Sequence, residues 1–450
     1  MSKEKLILGE TQSLCPVCLE RIPAKRVKYG EQVYLEKSCP RHGDYQTIIW
    51  NGLPDYESWD TVKQPTSNIN CLTKVEEGCP YDCGICPNHR QKTCCVLLEI
   101  TNKCNLLCPV CFASMQEDAK PDPSLEEIGA WYDTLMHCGG PFNIQLSGGE
   151  PSLRDDIDKI MRLGREKGFS FFQLNTNGLR LAQDMNYVKL LKDEGLNCVF
   201  LQFDAMSDEP YLKLRGRSLL KDKLQAIENC IKANLGIVLV PTIAPGINEN
   251  EIGAIIDFAI ENLPYIRGVH FQPISYFGRY GQKPEERLTI PDILRAIETQ
   301  INRKIKAEDF RPGTAENSYC SFNASFILQA DNTLKVLPKT QSCSCSCSEA
   351  PEESKKAREY VAQQWSSAPE SSCCISRCEE PKSLDEFLER KARYTLAISG
   401  MAFQDVWNVD LKRLQECYIH VMSPDKRIIP FCAYNLTGMD GAPLYREGNG

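Results

Sequence analysis

The sequence predicts an α/β fold whose centre is a partial, open (β/α)6 barrel of the TIM type. Between residues 96 and 301, apolar runs with the length of buried strands alternate with helical stretches, which is the pattern of a parallel sheet with helical crossovers. Six repeats fall short of the eight that close a TIM barrel, so we expect the barrel to be open. The predicted strands are 96–100, 143–146, 171–175, 198–203, 236–242 and 267–272, and the predicted helices are 125–137, 154–167, 185–194, 220–234 and 250–262.

Smaller units flank the predicted barrel. We expect a small metal-knuckle domain over residues 1–70, an iron–sulfur segment over 71–95, the barrel over 96–305 and a Cys-rich auxiliary-cluster domain over 306–450. The chain has 60 acidic and 52 basic residues and a formal charge of −8. This balance argues against a nucleic-acid-binding protein and against a polybasic patch that binds membranes.

Localisation and redox state follow from apolar patterning and cysteine content. Residues 1–12 contain no apolar signal-peptide core, and no apolar run approaches the ~20 residues of a membrane span. We therefore expect a cytoplasmic protein. In that compartment 24 cysteines are better explained as metal ligands than as disulfides, and oxygen-labile clusters would suit an anaerobe.

Two cysteine motifs of the first unit are separated by a predicted hairpin. Cys15 and Cys18 form CPVC, Cys39 and His42 lie in CPRH, and the segment RVKYGEQVYLEK between them alternates around a glycine. A Cys3His set suits zinc, whereas a rubredoxin-like iron would be more natural if Cys71 replaced His42. We favour a structural metal, because so small and polar a unit needs a metal ion or another cross-link in order to fold.

A CxxxCxxC motif follows at Cys79, Cys83 and Cys86. Cys94 and Cys95 come shortly after it and offer thiols for a fourth ligand position. Four cysteine ligands complete a closed cubane cluster. We therefore predict an auxiliary iron–sulfur cluster in this segment.

The same spacing recurs at Cys104, Cys108 and Cys111, in CVLLEITNKCNLLCPVCF. This motif follows a predicted strand and precedes a predicted helix with Ser124 and Glu127 in capping-box spacing. Three thiolates hold three irons of a cubane and leave the fourth iron open to an external ligand. The ligand that fits is S-adenosylmethionine, bound through its methionine amine and carboxylate. A zinc knuckle or half of a ferredoxin site is the alternative.

Polar residues follow the later strands of the barrel, where active residues are expected. After the second strand, Gly148 and Gly149 would let backbone atoms approach the methionine moiety, and Glu150 would meet its ammonium group. The next three strands end in further polar residues: Asn177, Gln202 and Thr242. The alternative is that GG and NTNG are only tight turns.

Two charged or titratable residues near the barrel mouth have open roles. Arg215 either holds a substrate carboxylate or phosphate or caps the barrel. His270 lies on the apolar sixth strand, where a satisfied core histidine is favoured over a catalytic base.

The segment after residue 305 is rich in cysteine and has weaker periodicity. We predict a hairpin around Asp331 and Asn332, a loop containing the SCSCSCS run, helices near 383–393 and 405–416, and a final hairpin with Cys417 and Cys432. Alternating Cys and Ser cannot form a core strand, so the SCSCSCS run is either a flexible tail or part of a cluster site.

The motif CNLLCPVC, followed by LSGGEP, resembles the radical S-adenosylmethionine (radical SAM) superfamily. With the second CxxxCxxC, the amino-terminal knuckle, VFLQFD and CYIHVMSPDKRIIPFCAYN, the chain resembles the class D radical methyltransferase and tetraether lipid synthase group over about residues 10–290 and 400–436. YCSFNASF and the SCSCSCS run resemble a bacterial radical (seleno)protein branch of that group.

The resemblance implies roles for several residues and a class of reaction. Asn177, Gln202 and Thr242 would contact the cofactor, and Cys378, Cys417 and Cys432 would ligate a carboxyl-terminal auxiliary cluster. A low-potential donor, ferredoxin or flavodoxin, would reduce the open cluster, and the resulting 5'-deoxyadenosyl radical would activate a C–H bond.

Three functions are compatible with these features. We favour radical methylation or alkylation of a small, pterin-like metabolite from a one-carbon donor. Lipid C–C coupling comes second, since no helix with a basic face for membrane binding is present in the sequence. A non-enzymatic multi-cluster electron carrier would explain the cysteines, but it would not cleave S-adenosylmethionine when reduced.

Overall fold

The computed structural model describes residues 5–61, 72–113, 121–280, 286–301, 303–338, 353–369 and 380–446. Cys71, Cys378 and the cysteines of the SCSCSCS run lie outside these ranges. No helix in the described ranges has the length and apolar character needed to cross a membrane.

The amino-terminal unit is a four-stranded antiparallel sheet with the strand order β1-β2-β3-β4. Its strands are β1 (Lys5–Leu14), β2 (Arg21–Tyr29), β3 (Gln32–Cys39) and β4 (Gly43–Asn51), followed by the short helix α1 (Tyr56–Trp59). The predicted hairpin is β2 and β3, and Gly30 makes its turn with a φ of 64°. Tyr56 stacks on Tyr319 with 3.9 Å between the ring centroids, which attaches this sheet to the later part of the chain.

All six predicted barrel strands are present, the fifth of them as two short strands, and so are all five predicted helices. The structure adds three helices that were not predicted: Leu179–Gln183, Asp208–Arg215 and Ile290–Gln300. The strands are β5 (Cys95–Thr101), β6 (Asn143–Gly148), β7 (Phe172–Thr176), β8 (Cys198–Gln202), β9 (Gly236–Val240), β10 (Thr242–Ile243) and β11 (Ile266–Pro273). The helices are α2 (Leu125–His137), α3 (Ile157–Glu166), α4 (Leu179–Gln183), α5 (Met185–Asp193), α6 (Asp208–Arg215), α7 (Leu220–Lys232), α8 (Ile252–Glu261) and α9 (Ile290–Gln300). Helix α2 begins with the predicted capping box, because Ser124 N donates to the Glu127 carboxylate at 2.7 Å and Glu127 N donates to Ser124 Oγ at 3.2 Å.

The carboxyl-terminal part of the chain has both strands and helices. They are β12 (Ser321–Leu328), β13 (Leu334–Val336), α10 (Glu353–Trp365), α11 (Leu384–Arg393), β14 (Thr395–Met401), α12 (Leu411–Gln415), β15 (Ile419–Met422), β16 (Ile428–Pro430) and α13 (Phe431–Asn435). The predicted hairpin around Asp331 and Asn332 is β12 and β13. Helix α12 is shorter than the predicted 405–416, because Asp410 accepts from Lys412 N as its N-cap and the preceding residues form turns.

The sheet continues beyond the six predicted strands at both edges. Its order is β13-β12-β14-β11-β9-β8-β7-β6-β5-β15-β16, with β10 paired to β11. Strand β14 runs parallel to β11 at one edge, and β15 runs parallel to β5 at the other. Residues after 305 therefore complete the barrel sheet.

Helix α10 covers the amino-terminal end of the barrel. Asn143 at the start of β6 donates from Nδ2 to the Arg358 carbonyl at 3.1 Å, and Arg358 donates to the Thr93 carbonyl at 3.1 Å. Trp365 packs on Phe200 with 5.3 Å between the ring centroids. A ligand in the barrel is therefore enclosed at this end, and access is from the carboxyl ends of the strands.

Candidate active site

An internal cavity of about 300 Å³ occupies the barrel between helix α10 and the carboxyl ends of the strands. The loop that follows β5 lines this cavity with three cysteines: Cys104, Cys108 and Cys111. Backbone hydrogen bonds in both directions between Cys111 and Arg279, at 2.8 and 3.0 Å, hold the end of this loop, and Arg279 Nε also donates to the Cys108 carbonyl at 2.9 Å. The three thiols consequently face one volume, as a cluster with one open iron requires.

Gly148 and Gly149 lie directly against the cysteine loop. Gly149 N donates to the Thr101 carbonyl at 2.9 Å, and Glu150 N donates to the Lys103 carbonyl at 2.8 Å. A Cβ atom at Gly148 would lie 2.1 Å from the Thr101 carbonyl oxygen, and one at Gly149 would lie 2.1 Å from that of Lys103. Gly148 also has a φ of 122°. The two glycines are therefore required for the contact between the end of β6 and the cysteine loop.

The carboxylate of Glu150 is buried and organises the ends of two strands. Its Oε1 accepts from Ser152 Oγ at 2.5 Å and from Thr176 Oγ1 at 2.6 Å, and its Oε2 accepts from Asn177 N at 2.7 Å. Glu150 also lines the cavity. A carboxylate oxygen has two lone pairs, so Oε2 keeps the capacity to accept a second hydrogen bond from a ligand.

Asn177, Gln202 and Thr242 line the same cavity at the ends of successive strands. Asn177 Nδ2 donates to Asn105 Oδ1 in the cysteine loop at 2.8 Å, and Gln202 Oε1 accepts from the Lys223 ammonium at 3.2 Å. All predicted cofactor-binding residues thus line the same cavity as the cysteines of the Cys104 loop.

Arg215 forms a buried, bidentate ion pair with Asp204. Arg215 Nε and Nη2 lie 2.7 and 2.8 Å from the two Asp204 carboxylate oxygens, and Nη2 also donates to Thr242 Oγ1 at 3.0 Å. Burial lowers the pKa of Arg215, but the Asp204 carboxylate more than offsets it, so the pKa is raised. Of the two roles considered for Arg215, the geometry favours the one in which it caps the barrel.

The thiols of the upstream motif lie close together at a separate place. The pKa of the Cys83 thiol is raised by a hydrogen bond with Cys79, by burial and by the charge of Cys79. Tyr445 contacts this loop, because its hydroxyl accepts from Cys83 N at 2.9 Å and donates to the Tyr81 carbonyl at 2.6 Å.

The position of Cys94 and Cys95 in the barrel bears on the predicted Cys79 cluster. They precede and begin β5, at the end of the barrel opposite the Cys104 loop, and burial together with Cys94 and Cys417 raises the pKa of Cys95. Cys94 and Cys95 line the barrel cavity, whereas Cys79, Cys83 and Cys86 line a separate one, so the assignment of Cys94 and Cys95 to the Cys79 cluster stays a prediction. The strand that begins at Cys95 pairs with the strand that follows Cys417, which brings Cys95 toward the carboxyl-terminal cysteines.

Cys320 is a candidate ligand that the sequence analysis missed. Burial raises the pKa of both Cys417 and Cys432, and Cys320 raises each further. Arg413 Nη2 lies 3.4 Å from the Cys320 sulfur. The available signal was the YCSFN motif, but a single cysteine far from any CxxC spacing gives no indication of a ligand. The predicted third ligand, Cys378, lies outside the described residues.

The amino-terminal sheet contains the predicted Cys3His set. The ligand atoms of Cys15, Cys18, Cys39 and His42 all lie within 4.8 Å of one another, and His42 Nδ1 is 3.4 Å from both the Cys15 and Cys39 sulfurs. For Cys39, burial raises the pKa, but the Arg41 backbone N–H and the His42 ring more than offset it and bring the pKa to about 6. A thiolate-forming Cys3His set fits zinc.

Comparisons with known proteins match both the barrel and the amino-terminal sheet. Residues 98–259 match the radical SAM superfamily, and residues 7–51 match the HMPTM N-terminal zinc ribbon domain. The chain is 36% identical, over an alignment of 473 positions, to 7,8-dihydro-6-hydroxymethylpterin dimethyltransferase of Methanocaldococcus jannaschii, which covers 95% of this chain and 93% of that relative. The chain belongs to the radical SAM superfamily.

Other proteins match parts of the chain. GTP 3',8-cyclase of Helicobacter pylori is 24% identical over 257 residues, with 56% of this chain and 79% of that relative covered. Among solved structures, Streptococcus suis SuiB bound to S-adenosylmethionine is 18% identical, with 47% of this chain and 48% of that chain covered and a TM-score of 0.40.

Membership of the radical SAM superfamily implies a 4Fe–4S cluster, S-adenosylmethionine and an enzyme, here of the transferase type. The residues at the Cys104 loop fit that cofactor pair. Burial raises the pKa of Cys104 to about 12, so this thiol needs a bound metal to become a ligand thiolate. The glycine contact and the buried carboxylate of Glu150 lie beside it, where an aminoacyl group could bind.

Proposed function

We propose that this radical SAM enzyme methylates a reduced pterin related to 7,8-dihydro-6-hydroxymethylpterin, using a one-carbon donor. The observation that supports it is the 36% identity to the Methanocaldococcus jannaschii dimethyltransferase, which extends over nearly the full length of both chains. The shared region includes the zinc ribbon, the barrel and the strands that complete the sheet. A relative that shared only the radical chemistry would match the barrel alone.

Cys104, Cys108 and Cys111 would hold three irons of the catalytic cluster in this proposal. When bound and reduced, the cluster supplies the electron that cleaves S-adenosylmethionine to methionine and a 5'-deoxyadenosyl radical. Glu150 would accept from the ammonium group of S-adenosylmethionine, and Asn177, Gln202 and Thr242 would orient its remaining polar groups. Helix α10 would exclude water from the opposite end of the barrel.

Two further cysteine groups would hold auxiliary clusters. Cys79, Cys83 and Cys86 form one group, and the other combines Cys417 and Cys432 with Cys95 and Cys320. The second group offers four thiols, the number that closes a cubane, so it would serve electron transfer or rigidity rather than substrate binding. A ferredoxin or flavodoxin would supply the electrons.

Anaerobic turnover with a labelled substrate tests the proposed function. The reconstituted full chain is incubated with dithionite, S-adenosylmethionine, methylene-tetrahydrofolate and 7,8-dihydro-6-hydroxymethylpterin deuterated at its carbon positions. We expect deuterium in 5'-deoxyadenosine and a methylated pterin by mass spectrometry. Absence of a methylated pterin in these incubations would contradict the proposal.

A cysteine variant provides the matched control for this assay. Cys108→Ala should abolish formation of 5'-deoxyadenosine, whereas Cys230→Ala should not, because Cys230 is buried in α7 away from the cavity. Full activity of Cys108→Ala would assign S-adenosylmethionine binding to the Cys79 motif instead.

A further inference from the structure

We infer that the barrel interior recognises the hydrogen-bonding edge of an uncharged heterocycle through a wall of three carboxamides: Gln145, Gln173 and Asn175. The inference rests on the proposed function and specifies how the substrate would be selected. All three side chains line the cavity, on the adjacent strands β6 and β7. We call these three residues the carboxamide wall.

The carboxamide wall is held in a fixed order by hydrogen bonds among its members. Gln173 Nε2 donates to Asn175 Oδ1 at 2.7 Å, and Asn175 Nδ2 donates to Gln145 Oε1 at 3.2 Å. Gln145 Nε2 in turn donates to the Cys95 sulfur at 3.3 Å. Because each amide orients the next, the wall presents a defined pattern of donors and acceptors.

Asn175 and Gln145 each keep hydrogen-bonding capacity for a ligand. A carboxamide has two N–H donors and two acceptor lone pairs. For Asn175 and Gln145, the described residues use one donor and one acceptor each. The remaining donor and acceptor suit a cyclic lactam and amino group, which is the edge that the pyrimidine ring of a pterin presents.

Aromatic side chains flank the carboxamide wall. Phe171, Phe200 and Trp365 line the adjoining part of the cavity, and the Phe200 and Trp365 rings are inclined by only 32° to each other. Aromatic faces of this kind favour a flat ring system, through stacking contacts beyond simple burial.

The cavity carries little charge away from the cysteine loop. Among the described lining residues, the permanently charged side chains are Glu150 and Arg215, and Asp204 neutralises Arg215. His270 lines the cavity too, and burial lowers its pKa to about 4, so the ring is neutral near pH 7. A phosphate buried in this cavity would have no compensating cation among the described lining residues, so a nucleotide is disfavoured as a ligand. A lipid chain would leave the carboxamides unpaired.

Binding measurements on the anaerobic holoenzyme test this inference separately from catalysis. The probes are 7,8-dihydro-6-hydroxymethylpterin, its analogue with an oxo group in place of the 2-amino group, and GTP, each titrated calorimetrically. We expect the pterin to bind roughly tenfold more tightly than the oxo analogue, because the site's amide acceptors lose a donor partner. GTP should not bind.

Two variants and a control locate the effect. Asn175→Leu and Gln145→Leu should each weaken pterin binding roughly tenfold and bring the affinities for pterin and oxo analogue together. Gln225→Leu, on the exposed face of α7, should change neither affinity. A far-ultraviolet circular dichroism spectrum that matches the wild type shows that each variant is folded.

The outcomes separate this inference from the proposed function. Unchanged pterin affinity in both variants, or GTP binding as tight as pterin binding, would overturn the inference even if methylation occurs. Pterin binding with the expected discrimination but without methylated product would support the carboxamide wall and contradict the proposed function.

Discussion

At the scale of single residues, Glu150 links the cysteine loop to the ends of two strands. Its backbone N–H donates to the Lys103 carbonyl, while its carboxylate accepts from Ser152, Thr176 and Asn177. A buried carboxylate is stable only where several donors satisfy it. The same residue would therefore shape the site and bind the cofactor.

Replacing Glu150 separates these two roles. Glu150→Gln keeps the size and one acceptor oxygen but removes the charge, so we expect S-adenosylmethionine to bind roughly ten- to a hundredfold more weakly, the loss typical of a charge-assisted hydrogen bond. Calorimetric titration of the anaerobic holoenzyme measures the affinity. Glu166→Gln, at the exposed end of α3, is the matched control. An unchanged affinity would leave Glu150 with the structural role alone.

His270 gives the barrel interior a defined response to acid. Burial lowers its pKa from 6.5 to about 4, and its Nδ1 lies 2.9 Å from Ser399 Oγ. Below pH 6.5 the unfolded chain binds a proton at His270, whereas the folded chain does so only near pH 4. The free energy of unfolding therefore falls as the pH drops from about 6.5 to about 4, and above pH 6.5 His270 does not change it.

The variant His270→Gln tests this response. Between pH 6.5 and 4, the wild type should lose roughly 1–3 kcal/mol more stability than the variant. Urea unfolding at a series of pH values gives the two curves. Gln225→Leu, on the exposed face of α7, serves for comparison and should follow the wild type. Parallel curves for wild type and His270→Gln would refute the expectation.

Metal ligands that lie within one short motif could be predicted from the sequence, but sets of ligands brought together from distant parts of the chain could not. The spacing of Cys104, Cys108 and Cys111 indicated a loop that presents three thiols together, and the structure places them on one cavity. Cys95 and Cys320 lie far apart in the chain and have no motif in common, so only the pairing of strands could bring them near Cys417.

At the scale of secondary-structure elements, helix α10 has a role that its sequence does not reveal. It is mostly polar, yet its last residue, Trp365, packs against Phe171, Phe200 and Val238. Gly236 at the start of β9 approaches the same turn so closely that a Cβ atom would lie 2.6 Å from the Trp365 carbonyl oxygen. Helix α10 thus closes the amino-terminal end of the barrel and acts as a plug.

Truncating the plug should cost stability. Trp365 is 9% exposed, so we expect Trp365→Ala to lower the free energy of unfolding by about 3–5 kcal/mol, the range for large aromatic side chains removed from a core. Urea unfolding measures the loss. Gln363→Ala, on the exposed side of the same helix, should be close to neutral. A loss below about 1 kcal/mol would mean that α10 does not seal the barrel.

Regular elements were predictable where a periodic pattern was continuous. The six strands and their helices agree with the sequence pattern, since each strand is a short apolar run between turn signals. Strand β14 was missed, whereas the predicted final hairpin is present as β15 and β16. The pairing of β14 with β11 and of β15 with β5 was not predicted, because these strands lie far along the chain from their partners and have no helix–strand alternation beside them. Sequence order alone gives no information on such pairings.

At the scale of the whole molecule, the metal content tests how the cysteines are divided. Three cubane clusters and one ribbon site correspond to about twelve irons and about one zinc per chain. The combined variant Cys320→Ala, Cys417→Ala, Cys432→Ala should bind about four irons fewer and keep its zinc. Iron, zinc and sulfide analysis after anaerobic reconstitution supplies the numbers, and undiminished iron would show that these thiols are not ligands.

The choice of point variants for this test follows from the fold. Ending the chain near residue 305 would also remove the carboxyl-terminal cysteines, but it would take away β14 and β15, which pair with both outer strands of the predicted six. Loss of iron from such a fragment would report the loss of the barrel. Cys138→Ala, a thiol at the end of α2 outside all three groups, is a better comparison.

The two edge strands also set an order of events during protein synthesis. A ribosome releases the chain from its amino terminus, so the Cys104 loop and the six central strands emerge well before β14 and β15. Through that interval β5 and β11 have unpaired edges, which are the surfaces that bind chaperones or aggregate. The same interval leaves the cysteine loops most accessible to the machinery that delivers iron and sulfide. The order in which the chain emerges therefore allows the Cys104 loop to receive iron and sulfide before β14 and β15 complete the sheet.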